Sequence, residues 1–466
     1  MSVPRSTLDP AALAAAGPDK ARAATAFLRD AHVERFDNGL TVCVSSSKRA
    51  PVAATAIAYA AGTRHEAAGE EGAAHFLEHM MFKGSARYPA GAVDRLTQSL
   101  GGANNAFTSH DLALYHFSFA ADRWPAALEI EADRMRGLTL DPREVASERQ
   151  VIVEEIAMYE GEPWDALDES VAASLFGDAP YGRPVLGTRA SLAGLGADEL
   201  RAVHRRLYTP TNAQLVIVGD VAVDEAIAGA HAAFDDLQVP GGAGADRAAT
   251  DRAATDRAAT DRAEVDPVPP AVARSPREER RVERRAGELA RLLMAFEAPS
   301  AVHPDHALLR LVAGVLANGR ASRLHRALVD DGQLCVWVSV DLADTVAPGS
   351  LSIAAEVLPG VAPEQVEAAV RAELQGVVDV PPTVEEIERV RRLILSEWLF
   401  GHEKADRRAF LLASSLTLFD LEQPAVALER LLGAEPEAVA DAARRWLGTP
   451  SRSVVGWSLP KRTRDA

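Results

Sequence analysis

Hydrophobic positions along the chain fall into short clustered runs separated by longer amphipathic stretches. The runs "NGLTVCVSSS" (38–47), "PVAATAIAYAAGT" (51–63), "DLALYHFSFA" (111–120) and "NAQLVIVGDV" (212–221) are rich in β-branched and aromatic residues and read as strands. A second set, "LARLLMAFEAPS" (289–300) and "PGSLSIAAEVL" (348–358), reads the same way. Helical patterns follow the early strands of each set, at "HFLEHMMFKG" (75–84) and "PDHALLRLVAGVLANG" (304–319). Long helices rich in Ala, Leu, Arg and Glu separate the remaining strands. The order predicts two α+β units of related design.

The break between them is "VPGGAGADRAATDRAATDRAATDRAEVDPVPPAVARSP", residues 239–276. Asp-Arg-Ala-Ala-Thr recurs from Asp246 and degenerates at Glu264. A period of five matches neither a helix face nor a strand face. The expected organisation is a first domain over 1–240, a low-complexity linker over 241–276 and a second domain over 277–466. The full length of 466 residues exceeds what one hydrophobic core usually serves.

Charge narrows the partners. With 50 Lys and Arg against 67 Asp and Glu, the net charge is −17, which disfavours nucleic acid or an anionic membrane. A basic or neutral polypeptide ligand would suit it, but the plainer reading, and the one favoured on charge alone, is that the acidic excess serves solubility. The two cysteines, Cys43 and Cys335, stand among apolar residues and are expected at buried strand positions rather than in a disulfide framework or a metal site. The amino-terminal stretch is broken by Asp9, Pro10, Pro18 and Asp19 and makes a poor secretory signal. No apolar run is long enough to span a bilayer, so a cytoplasmic setting is expected.

The segment "EGAAHFLEHMMFKGS" (71–85) carries chemistry. On a helix His75 and His79 share one face, a turn apart, and two neutral imidazoles so placed can hold two corners of a zinc ion. Glu78 borders the same face, where it can take a proton from a metal-bound water without being a ligand. A lone histidine on an apolar face is usually a satisfied core residue. Two at this spacing with a glutamate between them rarely arise by accident, and H-x-x-E-H is an inverted zinc-peptidase order.

A catalytic zinc needs a third protein ligand. "ASERQVIVEEIAMYEGEP" (146–163) offers Glu148, Glu154 and Glu155 on a helical pattern. Glu148 and Glu155 lie two turns apart on one face, with Glu154 on a neighbouring one. A solvated acidic helix is the plainer explanation, but Val151, Ile152, Val153 and Ile156 make the segment largely apolar.

These residues together resemble the M16 metallopeptidases, the inverzincins that include the mitochondrial processing peptidase, pitrilysin and insulin-degrading enzyme. "AAGTRHE", "GGANNAFTSHD", "DAPYGRP" and "NAQLVIVGD" extend the resemblance over most of residues 33–235, and "GRASRL" continues it more weakly. The resemblance implies two α/β-sandwich halves, each with a mixed or mainly antiparallel sheet. It implies zinc held by His75, His79 and Glu155, with Glu78 as general base. Glu148 matches a glutamate that supports the ligands from behind. Asn105 and Ala106 match an edge strand that pairs with an extended peptide substrate.

One departure stands out. Active relatives carry an Arg and a Tyr in the second half that bind the substrate carbonyl and the oxyanion. Val329 and Val336 stand at those positions here, and neither donates a hydrogen bond. The expectation is therefore a zinc endopeptidase subunit completed by a homologous partner in a heterodimer, acting on short or unfolded peptides. Arg320, Arg323 or Trp337 as substitutes, a homodimeric peptidase, and a non-catalytic assembly subunit are the alternatives.

Overall fold

The computed structural model describes residues 17–237, 278–448 and 451–461. The expected linker over 241–276 lies outside them. Two sheets organise the chain. The first contains β1 (His32–Arg35), β2 (Thr41–Ser46), β3 (Val52–Tyr59), β4 (Ala103–Thr108), β5 (Ala113–Ala120) and β6 (Ala213–Gly219), in the spatial order β1-β2-β6-β3-β5-β4. The second contains β7 (Glu279–Arg285), β8 (Arg291–Ala298), β9 (Cys335–Leu342), β10 (Gly349–Val357) and β11 (Ser453–Leu459), in the order β7-β11-β8-β10-β9. Each sheet has one parallel pair, β2 with β6 and β7 with β11, and is otherwise antiparallel.

The runs rich in Val, Ile and Ala became the central strands because both their faces are buried. Along β3, every residue after Val52 is buried. One face of the first sheet (Val42, Val44, Ile57, Tyr115, Ile217) packs against helices of its own half, through Phe76, Leu77, Leu128, Ile152 and Leu200. The opposite face (Cys43, Ala56, Leu114, Val216) is covered by Ala409, Leu412 and Ala413 of the helix Ala405–Leu418, which belongs to the second half. The converse holds on the second sheet. Leu293, Ala295 and Val454 pack against Leu167, Val171 and Leu175 of the helix Pro163–Phe176, from the first half. That helix lies so close to β11 that a Cβ on Gly456 would stand 2.4 Å from Val171 Cγ2. Each such Leu or Val contributes about 1.5–3 kcal/mol when fully buried, so the exchange of helices is a major part of what joins the halves.

Polar contacts add to the junction. Tyr181 Oη donates to Asp111 Oδ1 (3.0 Å), and the Ala347 N–H of the second half donates to Tyr181 Oη (3.1 Å). Arg64 Nε pairs with the same Asp111 at 3.0 Å. Both cysteines are buried and free, on β2 and β9, where burial pushes each thiol up to about 12. Among the described residues no helix is long and apolar enough to cross a membrane.

Arg323, in the "GRASRL" segment, makes two hydrogen bonds to Glu386, from Nε to Oε1 (2.7 Å) and from Nη2 to Oε2 (2.9 Å). Glu386 also closes a capping box with Thr383 at the start of the helix Val384–Gly401. The Arg323 fork holds the Glu386 carboxyl down to about 2, below its unfolded value, despite the opposing effect of burial. A depressed carboxylate contributes stability above its unfolded pKa and loses it as pH falls through the folded one. The Tm gap between wild type and Arg323→Met is therefore expected to narrow as pH falls from about 4.5 to about 2. Thermal melts across that window check it, and a gap independent of pH would remove the pair from the acid response.

Candidate metal centre

The motif helix, Ala73–Met80, is short and anchored at its start. Gly72 precedes it at φ +91°, and a Cβ there would meet Leu186 O at 2.7 Å, so only glycine fits. Its first N–H groups are taken by a side chain from outside the helix. Glu66 Oε1 accepts from Gly72 N (3.1 Å) and Ala74 N (2.9 Å). Burial raises the Glu66 carboxyl to about 7, against the pull of those two N–H groups. Phe76, Leu77 and Met80 are buried in the core, which leaves His75 and His79 on the remaining face with ring centroids 4.6 Å apart.

Opposite them runs the long helix Pro142–Gly161, capped by the Asp141 side chain on Arg143 N and seated by the buried Val145, Ile152 and Ile156. It delivers Glu155. Of the three candidate glutamates 148, 154 and 155, Glu155 reaches the histidines, Glu148 lies behind them, and Glu154 faces solvent. Glu155 Oε2 stands 3.9 Å from His75 Nε2 and 3.6 Å from His79 Nε2. The ligand atoms of His75, His79 and Glu155 all lie within 4.8 Å of one another. Tetrahedral zinc with bonds of about 2.0–2.1 Å separates its ligands by roughly 3.4 Å, so the donor set fits the ion with small adjustment.

The surroundings prepare those donors. Glu148 Oε1 lies 2.9 Å from His79 Nδ1, and its Oε2 lies 2.6 Å from Lys83 Nζ. With Nδ1 committed, His79 presents Nε2 toward Glu155, the arrangement by which carboxylates orient metal-binding imidazoles. Burial opposes the Glu148 charge, yet the Lys83 and His79 hydrogen bonds prevail and hold it below the usual carboxylate range. Burial, then the neighbouring His79, lowers His75 to about 4, which keeps its imidazole neutral at pH 7. Glu78 is pushed up, first by burial, with Thr108 and His79 pulling it back.

The three-residue cluster opens into a cavity of about 610 Å³ that His75, Glu78 and Glu155 border. On one side lies β4, the edge of the first sheet, with Ala106, Phe107 and Thr108 on the wall. Asn105 is exposed on the same strand, and its Oδ1 accepts from the Ala106 N–H at 2.9 Å. The lining also includes Asp165, Asp168 and Glu169 of the helix Pro163–Phe176, and among the described residues Arg183 is its one Arg or Lys.

Val329 packs half-buried against the core of the second half, and Val336 is exposed on β9. Neither borders the cavity, nor do Arg320, Arg323 and Trp337. Arg320 pairs with Asp330 (3.1 Å), Arg323 is held by Glu386, and Trp337 packs on Trp164 with centroids 5.0 Å apart. Sequence reasoning missed Glu66 and Lys83. Lys83 follows His79 by one helical turn, a spacing that carries a signal, whereas the reach of Glu66 to a helix six residues later carries none.

Comparison with known proteins matches this architecture. The model described as "Insulinase (Peptidase family M16)" matches residues 41–189, and "Peptidase M16 inactive domain" matches residues 194–394. An uncharacterized zinc protease of Mycobacterium leprae is 30% identical over 304 residues, 64% of this chain and 63% of that protein. One from Streptomyces coelicolor is 28% identical over 403 residues, 85% of this chain and 83% of that protein. A third, from Rickettsia bellii, is 34% identical over 206 residues, half the length of that protein. The match therefore spans less than two thirds of the Mycobacterium and Rickettsia proteins. Among solved structures, a protease from Helicobacter pylori superposes with a TM-score of 0.82 at 21% identity, over 92% of this chain and 99% of that one. The first half of the periplasmic protease PqqL from Escherichia coli gives 0.70 at 19% identity, over 92% of each chain. At those identities the likeness is one of fold. With the two domain models matched in sequence order over residues 41–189 and 194–394, the chain belongs to peptidase family M16.

Proposed function

We propose that this chain is the zinc-binding subunit of an endopeptidase for short or unfolded peptides. The observation that carries the reading is the convergence of His75, His79 and Glu155 on one point at the mouth of a cavity, with Glu78 beside them. When bound, zinc would acidify a water and polarise a peptide carbonyl. The protein's own residues supply the rest. Glu78 takes the proton from the attacking water. As the C–N bond breaks, it returns that proton to the departing amine nitrogen. Glu148 and Lys83 keep the His79 ring aimed. A substrate strand added to β4 takes the Ala106 N–H from the Asn105 side chain that now occupies it. Asp165, Asp168 and Glu169 give the cavity an acidic wall, which favours basic side chains in the peptide.

The second half places no hydrogen-bond donor at Val329 or Val336. A homologous partner that carries Arg and Tyr at those positions completes the site in this reading. The test is to measure bound zinc and cleavage of an unfolded basic peptide for the chain alone and mixed with such a subunit. Zinc bound by the chain alone, with cleavage rising about 10²-fold or more on mixing, is expected, since one oxyanion donor is typically worth that factor. Full cleavage by a homodimer would remove the heterodimer. No zinc and no cleavage in either sample would favour an assembly subunit, the role to which Val329 and Val336 would then belong.

A further inference from the structure

We infer that Arg183 is a carboxylate-binding residue of the cavity, set to take either the free C-terminus or an acidic side chain of a bound peptide. The inference rests on the peptidase reading and adds a point of substrate recognition to it.

Arg183 stands in the segment "DAPYGRP" with its backbone fixed and its side chain uncommitted. Its N–H donates to Pro180 O (3.2 Å), and its carbonyl accepts from His110 Nε2 (3.0 Å). The following Pro184 confines it to extended backbone, and it adopts φ −98° with ψ 138°. The loop is seated on the start of the motif helix, where the Leu186 carbonyl lies against Gly72. The guanidinium has no such ties. Among the described residues no hydrogen bond or ion pair engages it, and its Nε is buried without a partner. Nearby arginines are engaged: Arg64 pairs with Asp111, and Arg206 donates to His65 O (3.0 Å) and to Glu70. The carboxylates that feel the Arg183 charge are taken as well. Glu66 accepts from Gly72 and Ala74, and Glu71 accepts from Gly69 N (3.1 Å).

A buried polar group without a partner calls for one. Arg183 borders the same cavity as His75, Glu78 and Glu155, so the partner it lacks can arrive with the substrate. A guanidinium presents a planar fork that matches a carboxylate, and at neutral pH the carboxylate is the anionic group a peptide carries. The rest of the lining sharpens the choice. Asp165, Asp168 and Glu169 repel a carboxylate elsewhere in the cavity. Among the described residues Arg183 is the one Arg or Lys that can receive it. The preferred substrate therefore carries a carboxylate at a fixed distance along the peptide from the bond that is cut.

The test uses the full chain, with its partner subunit where cleavage needs one. Peptides of Ser and Arg in a graded series of lengths are compared with a free and with an amidated C-terminus. In a second set, amidated throughout, a single Glu is walked through each position and compared with Gln there. The wild-type protein is expected to show a gain in kcat/KM of about tenfold or more for one of these carboxylates, the factor typical of a hydrogen bond to a charged group. A gain from the free C-terminus identifies the chain end as the occupant, and a gain at one Glu position identifies a side chain. Arg183→Gln is expected to reduce the gain to near unity. Arg183→Lys should retain part of it, since the charge remains and the fork is lost. Each gain is a ratio within one preparation, so differences in folded fraction cancel. Equal cleavage of acidic and neutral versions by the wild type, or a gain that survives Arg183→Gln, would overturn the carboxylate site and leave the peptidase reading standing. Failure of the wild type to cleave any peptide would overturn both.

Discussion

Glu78→Gln is expected to leave zinc bound and to lower kcat/KM by about 10³-fold or more, toward the upper part of the range for loss of a positioned general base. The substitution preserves the shape of the side chain and removes only its ability to hold a proton. Glu78 lies outside the three-residue ligand cluster, so the metal loses no donor. Burial already disfavours a charge at this position. Metal content per chain and peptide cleavage, measured on the same sample, check both halves of the expectation. Full activity in the variant would place the base elsewhere. Loss of zinc would make Glu78 a ligand.

Zinc affinity is expected to fall in a graded series. Glu148→Gln should weaken binding about 10–100-fold, the usual effect of removing a group that orients a ligand. Glu155→Gln should weaken it further, because the proposed ligand itself is lost. The difference follows from position: Glu155 shares the focus of the histidine ring nitrogens, whereas Glu148 touches His79 on the far side of the ring. Lys83 sharpens the contrast. Its ammonium, against the other Glu148 oxygen, keeps that carboxylate charged, so the neutral amide of Glu148→Gln weakens its hold on Lys83 as well as on the His79 Nδ1–H. Competition titrations against a chelator of known affinity rank the variants. Equal affinities for wild type and Glu155→Gln would move the third ligand, with Glu154 the next residue to try.

Much of this was legible beforehand. The His75, Glu78, His79 spacing requires only that the segment be helical, and local sequence decides that. The choice among Glu148, Glu154 and Glu155 was not decidable from periodicity, which placed 148 and 155 on one face. The structure separates them by depth along the helix, a tertiary quantity. Most strands with alternating or continuous apolar residues were readable, although the apolar run of β11, "SVVGWSL", was passed over, and β7 was not readable. "ERRVERR" looks like a charged helix or loop, yet it pairs in parallel with β11 at a sheet edge, where charge is tolerated on both faces. β1, "HVER", escaped notice for the same reason. The reach of Glu66 to the motif helix joins residues whose neighbourhood only the folded chain creates.

The swapped helices carry a lesson for anyone who would take the molecule apart. A fragment ending near residue 237 would retain His75, His79 and Glu155 yet lose the lid over Cys43, Ala56 and Leu114, and it would display Leu167, Val171 and Leu175 with nothing to meet them. The complementary fragment would suffer the mirror-image defect. Separate production of the pieces should thus yield sticky, self-associating material, while producing them together would let each dress the other. The covalent tether is secondary: mutual clothing of two greasy surfaces is what makes a single object of this chain.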